Sequence, residues 1–323
     1  MPAIGELRRR IGDAARALAS IGSDNPRMEA EHLAAHALDR TRTQLLSLPD
    51  HDPIPAATLE RFDALVRRRQ AREPLQYLLG SVPFCDLDLQ VGPGVLIPRP
   101  ETEVLVQRLL YWIRRVGWWE RDPADPGTAP SSSLVPAAPP VPTGTARPWL
   151  VDVGTGSGAI LLALLAELPG WGGIGVDRSE AALAYARTNA LVNDRADGAV
   201  VGFACADLLT ALAPPAPVER MVIVSNPPYI PTGDVPGLAP EVCRHEPSLA
   251  LDGGPDGLQI VAELLRQARR VLAPGGLLAL ELGLGQAVVV ETWLAAAGFE
   301  TLERYRDLTG RERGVIARRE RDS

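Results

Sequence analysis

The chain has 323 residues, of which 46% are apolar and 23% are charged, and this is the composition of a folded protein long enough for two domains. Its formal net charge is -7, and all 33 basic residues are Arg. This acidic balance argues against general binding to nucleic acid or to an anionic membrane, although a local basic patch stays compatible with it.

The cysteines, the N-terminal segment and the lengths of the apolar runs argue against several further classes of protein. Three widely separated cysteines without a CxxC pair argue against a disulfide framework and against a zinc site, so we expect no metal. The N-terminus lacks the features of a signal peptide, and no apolar run reaches the roughly 20 residues that cross a bilayer. We therefore expect a cytoplasmic protein without a membrane segment.

Residues 1–80 predict a helical domain. Apolar residues at helical spacing predict a first helix around Leu7 to Leu18. Asn25-Pro26 opens a second helix, Thr41 caps a short third one, and the fourth runs from about Pro55 to Arg72. We expect Arg67-Arg68-Arg69 on the fourth helix to form a solvated face, and the final run ArgArgGluArg to be a frayed tail.

The next part of the chain changes character twice. Residues 82–91 alternate apolar and polar side chains, which predicts a short strand or hairpin, and Gly92-Pro93-Gly94 then breaks the pattern. We therefore expect residues 81–98 to form a hairpin linker. An amphipathic helix follows, to about Val116. Residues 118–148 contain eight prolines and few residues suited to a core, and this predicts a Pro-rich insertion without a function of its own.

From Trp149 onward, strands alternate with helices. Strands are predicted at 149–153, 172–176, 199–205, 221–225, 277–282, 298–305 and 313–318. Helices are predicted at 158–168, 179–192, 257–272 and 286–297. This alternation predicts an α/β domain with a parallel sheet and helices on both faces.

A glycine-rich loop follows the first of these strands. The pattern Gly154-Thr155-Gly156-Ser157-Gly158 allows a tight turn and brings a ligand close to the backbone. Asp177 ends the next strand, where a carboxylate can accept hydrogen bonds from ribose hydroxyls. The spacing is GxGxG and not the GxGxxG of dinucleotide sites, so it favours S-adenosylmethionine, with a nicotinamide oxidoreductase as the alternative.

Two more strand ends carry candidate residues. Asp207 could accept a hydrogen bond from an adenine amino group while Leu208 packs on the ring, but a helix cap explains this position equally well. Asn226-Pro227-Pro228-Tyr229 combines two prolines, which lack N–H donors and have a fixed φ, with the Asn226 oxygen and a flat Tyr ring. This set suits a planar –NH2 nucleophile, either an amide or an exocyclic base amine, that attacks an electrophilic methyl group.

Five segments of the chain form one combined pattern: EPLQYLLG (73–80), LIPRPETE (96–103), DVGTGSGAI (152–160), SNPPYI (225–230) and EPSLALDGGPDGL (246–258). Together they resemble one known family, the bacterial release-factor glutamine methyltransferases (HemK/PrmC). The resemblance covers nearly the whole chain except 118–148. NPPY alone is shared with adenine methyltransferases, but its combination with the other segments is far more specific.

The resemblance implies a fold and an activity. The fold would be a class I S-adenosylmethionine-dependent methyltransferase, with a Rossmann-like seven-stranded sheet in residues 99–323 and a small helical substrate-recognition domain in residues 1–80. The activity would be N5-methylation of the glutamine side chain in the Gly-Gly-Gln loop of peptide chain release factors. S-adenosylmethionine would be the methyl donor and release factors the protein partners.

The resemblance also implies roles for individual residues. Arg99, Glu101 and Glu103 would lie near the pocket, unless they only cap a helix and pair on the surface. The substrate would be held by Asn226, Pro227, Pro228 and Tyr229. The cofactor would be held by Gly154, Thr155, Gly156, Ser157, Gly158, Asp177, Asp207, Leu208 and Asn226.

Two related activities stay as alternatives. A ribosomal-protein glutamine methyltransferase tends to have PRS in place of PRPETE, so Pro98 to Glu103 count against it. An adenine-N6 nucleic-acid methyltransferase would need a basic groove, yet residues 81–303 hold 14 Arg against 25 acidic residues. We therefore expect a monomer that acts on a protein, without direct contact to nucleic acid.

Overall fold

The computed structural model describes residues 1–118, 147–193, 200–212 and 220–321. The Pro-rich insertion predicted at 118–148 lies outside the described residues except at its ends. The chain divides into two compact units. The helical unit comprises Met1–Val82 with Ala239–His245, and the sheet unit comprises Pro83–Leu238 with Glu246–Ser323. None of the helices in these ranges combines the length and the apolar character that a membrane span requires.

The helices and strands are numbered here in chain order. The α-helices are α1 Ile4–Ser20, α2 Pro26–Ala37, α3 Arg42–Ser47, α4 Ala56–Gln70, α5 Leu75–Leu79, α6 Pro100–Arg115, α7 Ala159–Glu167, α8 Glu180–Val192, α9 Pro240–His245, α10 Gln259–Val271 and α11 Ala287–Ala296. The strands are β1 Ser81–Phe84, β2 Leu87–Gln90, β3 Trp149–Val153, β4 Gly172–Asp177, β5 Val200–Cys205, β6 Met221–Ser225, β7 Leu277–Glu281, β8 Phe299–Arg306 and β9 Glu312–Arg319.

The helical unit packs α1 to α5 around a core that includes Leu7, Leu33 and Phe62. The short helix α3 begins with a capping box. The Thr41 hydroxyl accepts a hydrogen bond from the Gln44 N–H at 3.2 Å, and the Gln44 side chain accepts one from the Thr41 N–H at 2.9 Å. These reciprocal bonds satisfy two N–H groups that have no partner within the helix, and so stabilise a helix of only six residues.

Arg69 corrects one of the predictions for this unit. Arg67 and Arg68 are exposed as expected, but the Arg69 side chain is only 6% exposed. Its Nε donates to Glu29 of α2 at 2.8 Å, and its Nη1 donates to Glu241 of α9, also at 2.8 Å. The predicted solvated face was wrong for Arg69 because its two carboxylate partners come from distant parts of the sequence.

The sheet unit contains a seven-stranded sheet with the order β5-β4-β3-β6-β7-β9-β8. Strands β5, β4, β3, β6 and β7 are parallel, and β9 runs antiparallel to both β7 and β8. The predicted seven-stranded methyltransferase fold is confirmed. The parallel arrangement expected from the strand–helix alternation ends at β7, because β8 and β9 form a hairpin without a helix between them.

The C-terminus is more ordered than predicted. Strand β9 continues to Arg319, and the Arg318 guanidinium donates to Glu300 of β8 at 2.6 Å. The prediction of a frayed tail was therefore wrong for Arg318 and Arg319, because they belong to the last strand pair.

The parallel strands determine where the motifs meet. Strands β3 and β6 are buried along their whole length and are paired in register, with Val153 opposite Ser225. The glycine-rich loop follows β3, Asp177 ends β4, and Asn226 follows β6. Because the carboxyl ends of parallel strands lie at one edge of a sheet, these three features meet at that edge.

Candidate active site

A cavity opens at this edge of the sheet. Asn226 and the glycine-rich loop line it, and Thr102 and Pro98 contribute from the start of α6 and the segment before it. Of the residues predicted for the site, the following line the cavity: Gly154, Thr155, Gly156, Ser157, Asp177, Asp207, Leu208, Asn226 and Pro228.

The glycines of the loop have two different tasks. Gly154 and Gly156 have φ of 71° and 56°, and a Cβ on either one would meet no atom nearer than 3.9 Å. The space beside them is therefore part of the cavity. Gly158 packs instead against α7 and α8, since a Cβ there would lie 3.3 Å from Leu162 and 3.4 Å from Ala186. The first two glycines thus form an open cradle that fits S-adenosylmethionine, the ligand that the GxGxG spacing favours.

Asp177 accepts hydrogen bonds from the backbone of the glycine loop and from that of the turn after β4. One carboxylate oxygen accepts from the Gly156 N–H at 2.9 Å, and the other accepts from the Ser179 N–H, also at 2.9 Å. Each oxygen keeps a second lone pair for a further donor. The carboxylate therefore shapes the loop while it stays able to receive ribose hydroxyls.

Asp152, for which the sequence pattern predicts no role, supports the loop from within the sheet. It is completely buried, and its Oδ2 accepts from the Thr155 hydroxyl at 2.7 Å and from the Leu161 N–H at 3.3 Å. Burial raises the pKa of Asp152 to about 7, although these two bonds oppose the rise. The carboxyl thus connects β3, the loop and the first turn of α7.

Asp207 and Leu208 follow β5 in a tight turn. Leu208 adopts a left-handed backbone with φ of 49°, which costs on the order of 1 kcal/mol for a non-glycine residue. The turn is held by Leu209, whose N–H donates to the Gln267 side chain at 2.8 Å. No helix begins here among the residues that the structure describes, so the cap alternative for Asp207 was wrong.

Hydrogen bonds from neighbouring segments hold the NPPY tetrapeptide in place. The Asn226 Nδ2 donates to the Thr102 hydroxyl at 3.2 Å, which turns Oδ1 in another direction. The Tyr229 hydroxyl donates to Glu281 at 3.5 Å, and the Tyr229 carbonyl accepts from Gln286 at 3.0 Å. Burial, with the charge of Glu281, raises the pKa of Tyr229 to about 12, so this hydroxyl keeps its proton.

The DGGPDG segment fits against the NPPY backbone. A Cβ on Gly253 would lie 2.6 Å from the Pro228 carbonyl oxygen, and one on Gly257 would lie 2.3 Å from that of Tyr229. Only glycine permits this approach. The Ile230 N–H then donates to the Leu251 carbonyl at 3.0 Å, so the two loops form one rigid support.

The acidic and basic residues of PRPETE do not line the cavity. Arg99 donates to Glu246 at 2.6 Å, while Glu101 accepts from Arg313 at 3.4 Å and Glu103 accepts from the Cys85 N–H at 2.9 Å. These three predicted residues therefore form hydrogen bonds and ion pairs outside the cavity lining. Pro227, Tyr229 and Gly158 do not line the cavity either.

The sequence matches proteins of established classification. The family model described as the PrmC N-terminal domain matches residues 11–80. The release factor glutamine methyltransferase of Moorella thermoacetica is 40% identical over 317 residues, covering 97% of this chain and 98% of that protein. The release factor glutamine methyltransferase of Rhodospirillum rubrum is 37% identical over 313 residues, covering 97% and 85% respectively.

The chain belongs to the release factor glutamine methyltransferase family. Among solved structures, the ribosomal protein L11 methylase of Lactobacillus delbrueckii subsp. bulgaricus is 20% identical and superimposes with a TM-score of 0.42, covering 72% of this chain and 86% of that one.

Four buried polar residues of this family member were missed as site residues. Each lies in or beside a recognised motif, but no sequence pattern distinguishes any of them as a buried site residue. Glu281, for example, ends the apolar run of β7, where an acidic residue would equally suit an exposed loop. The four are Thr102, Asp152, Glu246 and Glu281.

Proposed function

We propose that this chain transfers a methyl group from S-adenosylmethionine to the side-chain nitrogen of the glutamine in the Gly-Gly-Gln loop of peptide chain release factors. One observation carries the proposal. The acceptors of NPPY and the open cradle of the glycine loop line one cavity, and the Asn226 main-chain oxygen lies 4.0 Å from the position of a Gly154 Cβ. Two relatives that are 40% and 37% identical to this chain are named release factor glutamine methyltransferases.

The methyl donor would occupy the side of the cavity formed by the glycine loop. Gly154 and Gly156 would offer their backbone to it, Asp177 would accept from the ribose hydroxyls, and Asp207 with Leu208 would hold the adenine. When bound, S-adenosylmethionine supplies an electrophilic methyl group on a sulfonium.

The substrate amide would be held by acceptors alone. The Asn226 Oδ1 and the Pro228 carbonyl would accept the two N–H bonds of the glutamine side chain. Two held N–H bonds aim the nitrogen lone pair out of the amide plane, toward the cradle. The residues act by orientation, which can supply a large part of a rate enhancement.

We propose that the enzyme works as a cytoplasmic monomer, without a metal and without direct contact to nucleic acid. The excess of acidic residues in residues 81–303 supports the absence of contact with nucleic acid.

Methylation of purified, unmodified release factor with labelled S-adenosylmethionine tests the proposal. We expect label on the Gly-Gly-Gln peptide and none on a release factor in which that glutamine is replaced by alanine. Transfer of label to duplex DNA or to a ribosomal protein, with none to release factor, would contradict it.

Asn226→Ala tests the role of the tetrapeptide. We expect methylation to fall about 100-fold or more, because a preorganised hydrogen-bond partner of the reacting group is lost. Binding of S-adenosylmethionine, measured by calorimetry, should stay within about threefold of the native value, since the other wall residues remain. Asn25→Ala is a matched control at an exposed side chain that forms no cap bond.

A further inference from the structure

Three exposed leucines lie around the active site of the sheet unit. Leu284 and Leu308 are 74% and 98% exposed, and Leu249, which lines the cavity, is 44% exposed. Single exposed leucines are common on protein surfaces, so exposure alone assigns them no function. These three differ from a scattered set because their loops all lie at the edge of the sheet where the cavity opens.

The strand register places Leu284 and Leu308 at that edge. Strand β7 is parallel to β6, so the loop after Glu281, which carries Leu284, leaves the sheet at the same edge as Asn226. Strand β9 is antiparallel to β7, with Gly314 opposite Glu281. The β8–β9 turn, which carries Leu308, therefore lies beside the end of β7.

Hydrogen bonds fix the loop of Leu284 to the substrate side of the site. The Gln286 side chain accepts from the Gly283 N–H at 2.8 Å and donates to the Tyr229 carbonyl at 3.0 Å. It also donates to the Gly257 carbonyl at 3.3 Å. Leu284 stands between the two loop residues that this side chain joins. The NPPY segment and the loop of Leu284 therefore form one support.

The turn that carries Leu308 is also well fixed. The Asp307 carboxylate accepts from the Thr309 hydroxyl at 2.6 Å and from the Arg311 N–H at 3.0 Å. Its other oxygen accepts from the Arg313 Nε at 2.7 Å. Because the backbone on both sides of Leu308 is ordered before a partner arrives, little backbone entropy is lost when the side chain is covered.

The chemistry of the leucines indicates what would cover them. A leucine offers apolar area but neither a hydrogen bond nor a charge, so it favours an apolar partner over a phosphate backbone. A glutamine side chain is short, so a protein whose glutamine enters the cavity has to bring its main chain and neighbouring side chains to this edge. The protein substrate itself is therefore the partner that covers these leucines.

Resting on the proposed function, we propose that Leu249, Leu284 and Leu308 form a docking rim for apolar side chains that flank the Gly-Gly-Gln loop of the release factor. The docking rim contributes to the choice of protein substrate, while NPPY and the glycine loop hold the reacting groups. Leu284 and Leu308 thus raise the affinity for the substrate although neither of them lines the cavity.

Steady-state methylation of unmodified release factor tests the docking rim. Asparagine has nearly the shape of leucine without its apolar character, so Leu284→Asn and Leu308→Asn should each raise the KM for release factor about tenfold. The kcat and the affinity for S-adenosylmethionine should stay within about twofold of native, because the cavity lining is unchanged. Leu308→Met keeps the apolar area and should keep the KM within about twofold of native.

Leu191→Asn is the matched control at an exposed leucine elsewhere on the sheet unit. Leu191 is 61% exposed and lies at the end of α8. Since β4 and β5 are parallel, α8 returns the chain from the carboxyl end of β4 to the opposite edge of the sheet. We expect a native KM for release factor in this control. A native KM in either rim variant, or an equal rise in Leu191→Asn, would overturn the proposal.

Photo-cross-linking gives a readout that does not depend on turnover. The photoreactive residue p-benzoylphenylalanine in place of Leu308 should attach to release factor on illumination, and in place of Leu191 it should not. A second copy of the chain is the other candidate cover, and a dimer in sedimentation that Leu308→Asn dissociates would overturn the proposal. A native enzyme that labels no release factor would overturn the proposed function, whereas native labelling with an unchanged KM in the rim variants would overturn the docking rim alone.

Discussion

The buried carboxyl of Asp152 makes the stability of the sheet unit depend on pH. A single substitution, Asp152→Asn, can isolate this contribution. Asp152→Asn preserves the shape of the side chain and can keep accepting from Thr155 and Leu161, but it removes the titration. Asp152 in the folded protein has its pKa raised by burial from the ordinary 3.8 to about 7. Because the folded state holds this proton more tightly than the unfolded chain, the carboxyl's stabilising contribution is complete below about pH 4 and is lost as the pH rises through about 7.

The size of the effect follows from the same two values. Each tenfold change in proton affinity corresponds to about 1.4 kcal/mol, so the rise from 3.8 to about 7 corresponds to at most about 4 kcal/mol. Relaxation around the charged form reduces this, and we expect about 2 to 4 kcal/mol. The free energy of unfolding of the native protein, minus that of Asp152→Asn, should fall by this amount between about pH 4 and about pH 7 and stay level above it.

Urea unfolding at a series of pH values provides the measurement. Trp149 and Trp171 are buried in the sheet unit, so their fluorescence reports its unfolding. Asp86→Asn makes the same chemical change at an exposed aspartate of the β1–β2 turn and serves as the control. Native and Asp152→Asn stabilities that run parallel over the whole range would refute the reasoning, because they would mean that Asp152 titrates alike in the folded and unfolded chain.

Two further substitutions test the cradle and the helical unit. Gly156→Ala puts a Cβ into the cavity at a φ of 56°, so the affinity for S-adenosylmethionine should fall about tenfold or more by calorimetry, and native affinity would contradict the assigned cradle. Arg69→Ala leaves Glu29 without its buried partner, so the helical unit should lose about 3 kcal/mol in urea unfolding of the full chain. Arg67 lies on the same helix and is exposed, so Arg67→Ala should change the free energy of unfolding by less than about 0.5 kcal/mol. Equal losses of stability in the two variants would exclude the buried ion pairs of Arg69 as the cause.

The features that could be predicted from the sequence are those whose signal is local. Strand β3 is an apolar run that ends directly in the glycine loop, and β6 ends directly in Asn226. The parallel geometry then brings these ends together without further information. The cap of α3 at Thr41 was equally predictable, because a capping box spans only four residues.

The features that could not be predicted depend on partners far away in the chain. The Glu281 carboxyl meets Tyr229 across 52 residues, and the Arg69 guanidinium meets Glu241 across 172 residues. No spacing rule connects such positions, and an acidic or basic residue is exposed far more often than buried. Helix α9 escaped prediction for a related reason, since six residues are too few for helical periodicity to appear.

The helical unit is not a module that can be cut out of the gene in one piece. The chain leaves the sheet unit after Leu238, contributes seven residues to the helical unit, and re-enters at Glu246. A fragment of residues 1–82 would lack Glu241, to which both Arg69 and Arg72 donate. Exchange of helical units between family members would therefore have to transfer two segments together, and we expect substitutions in α4 to co-vary with those at position 241.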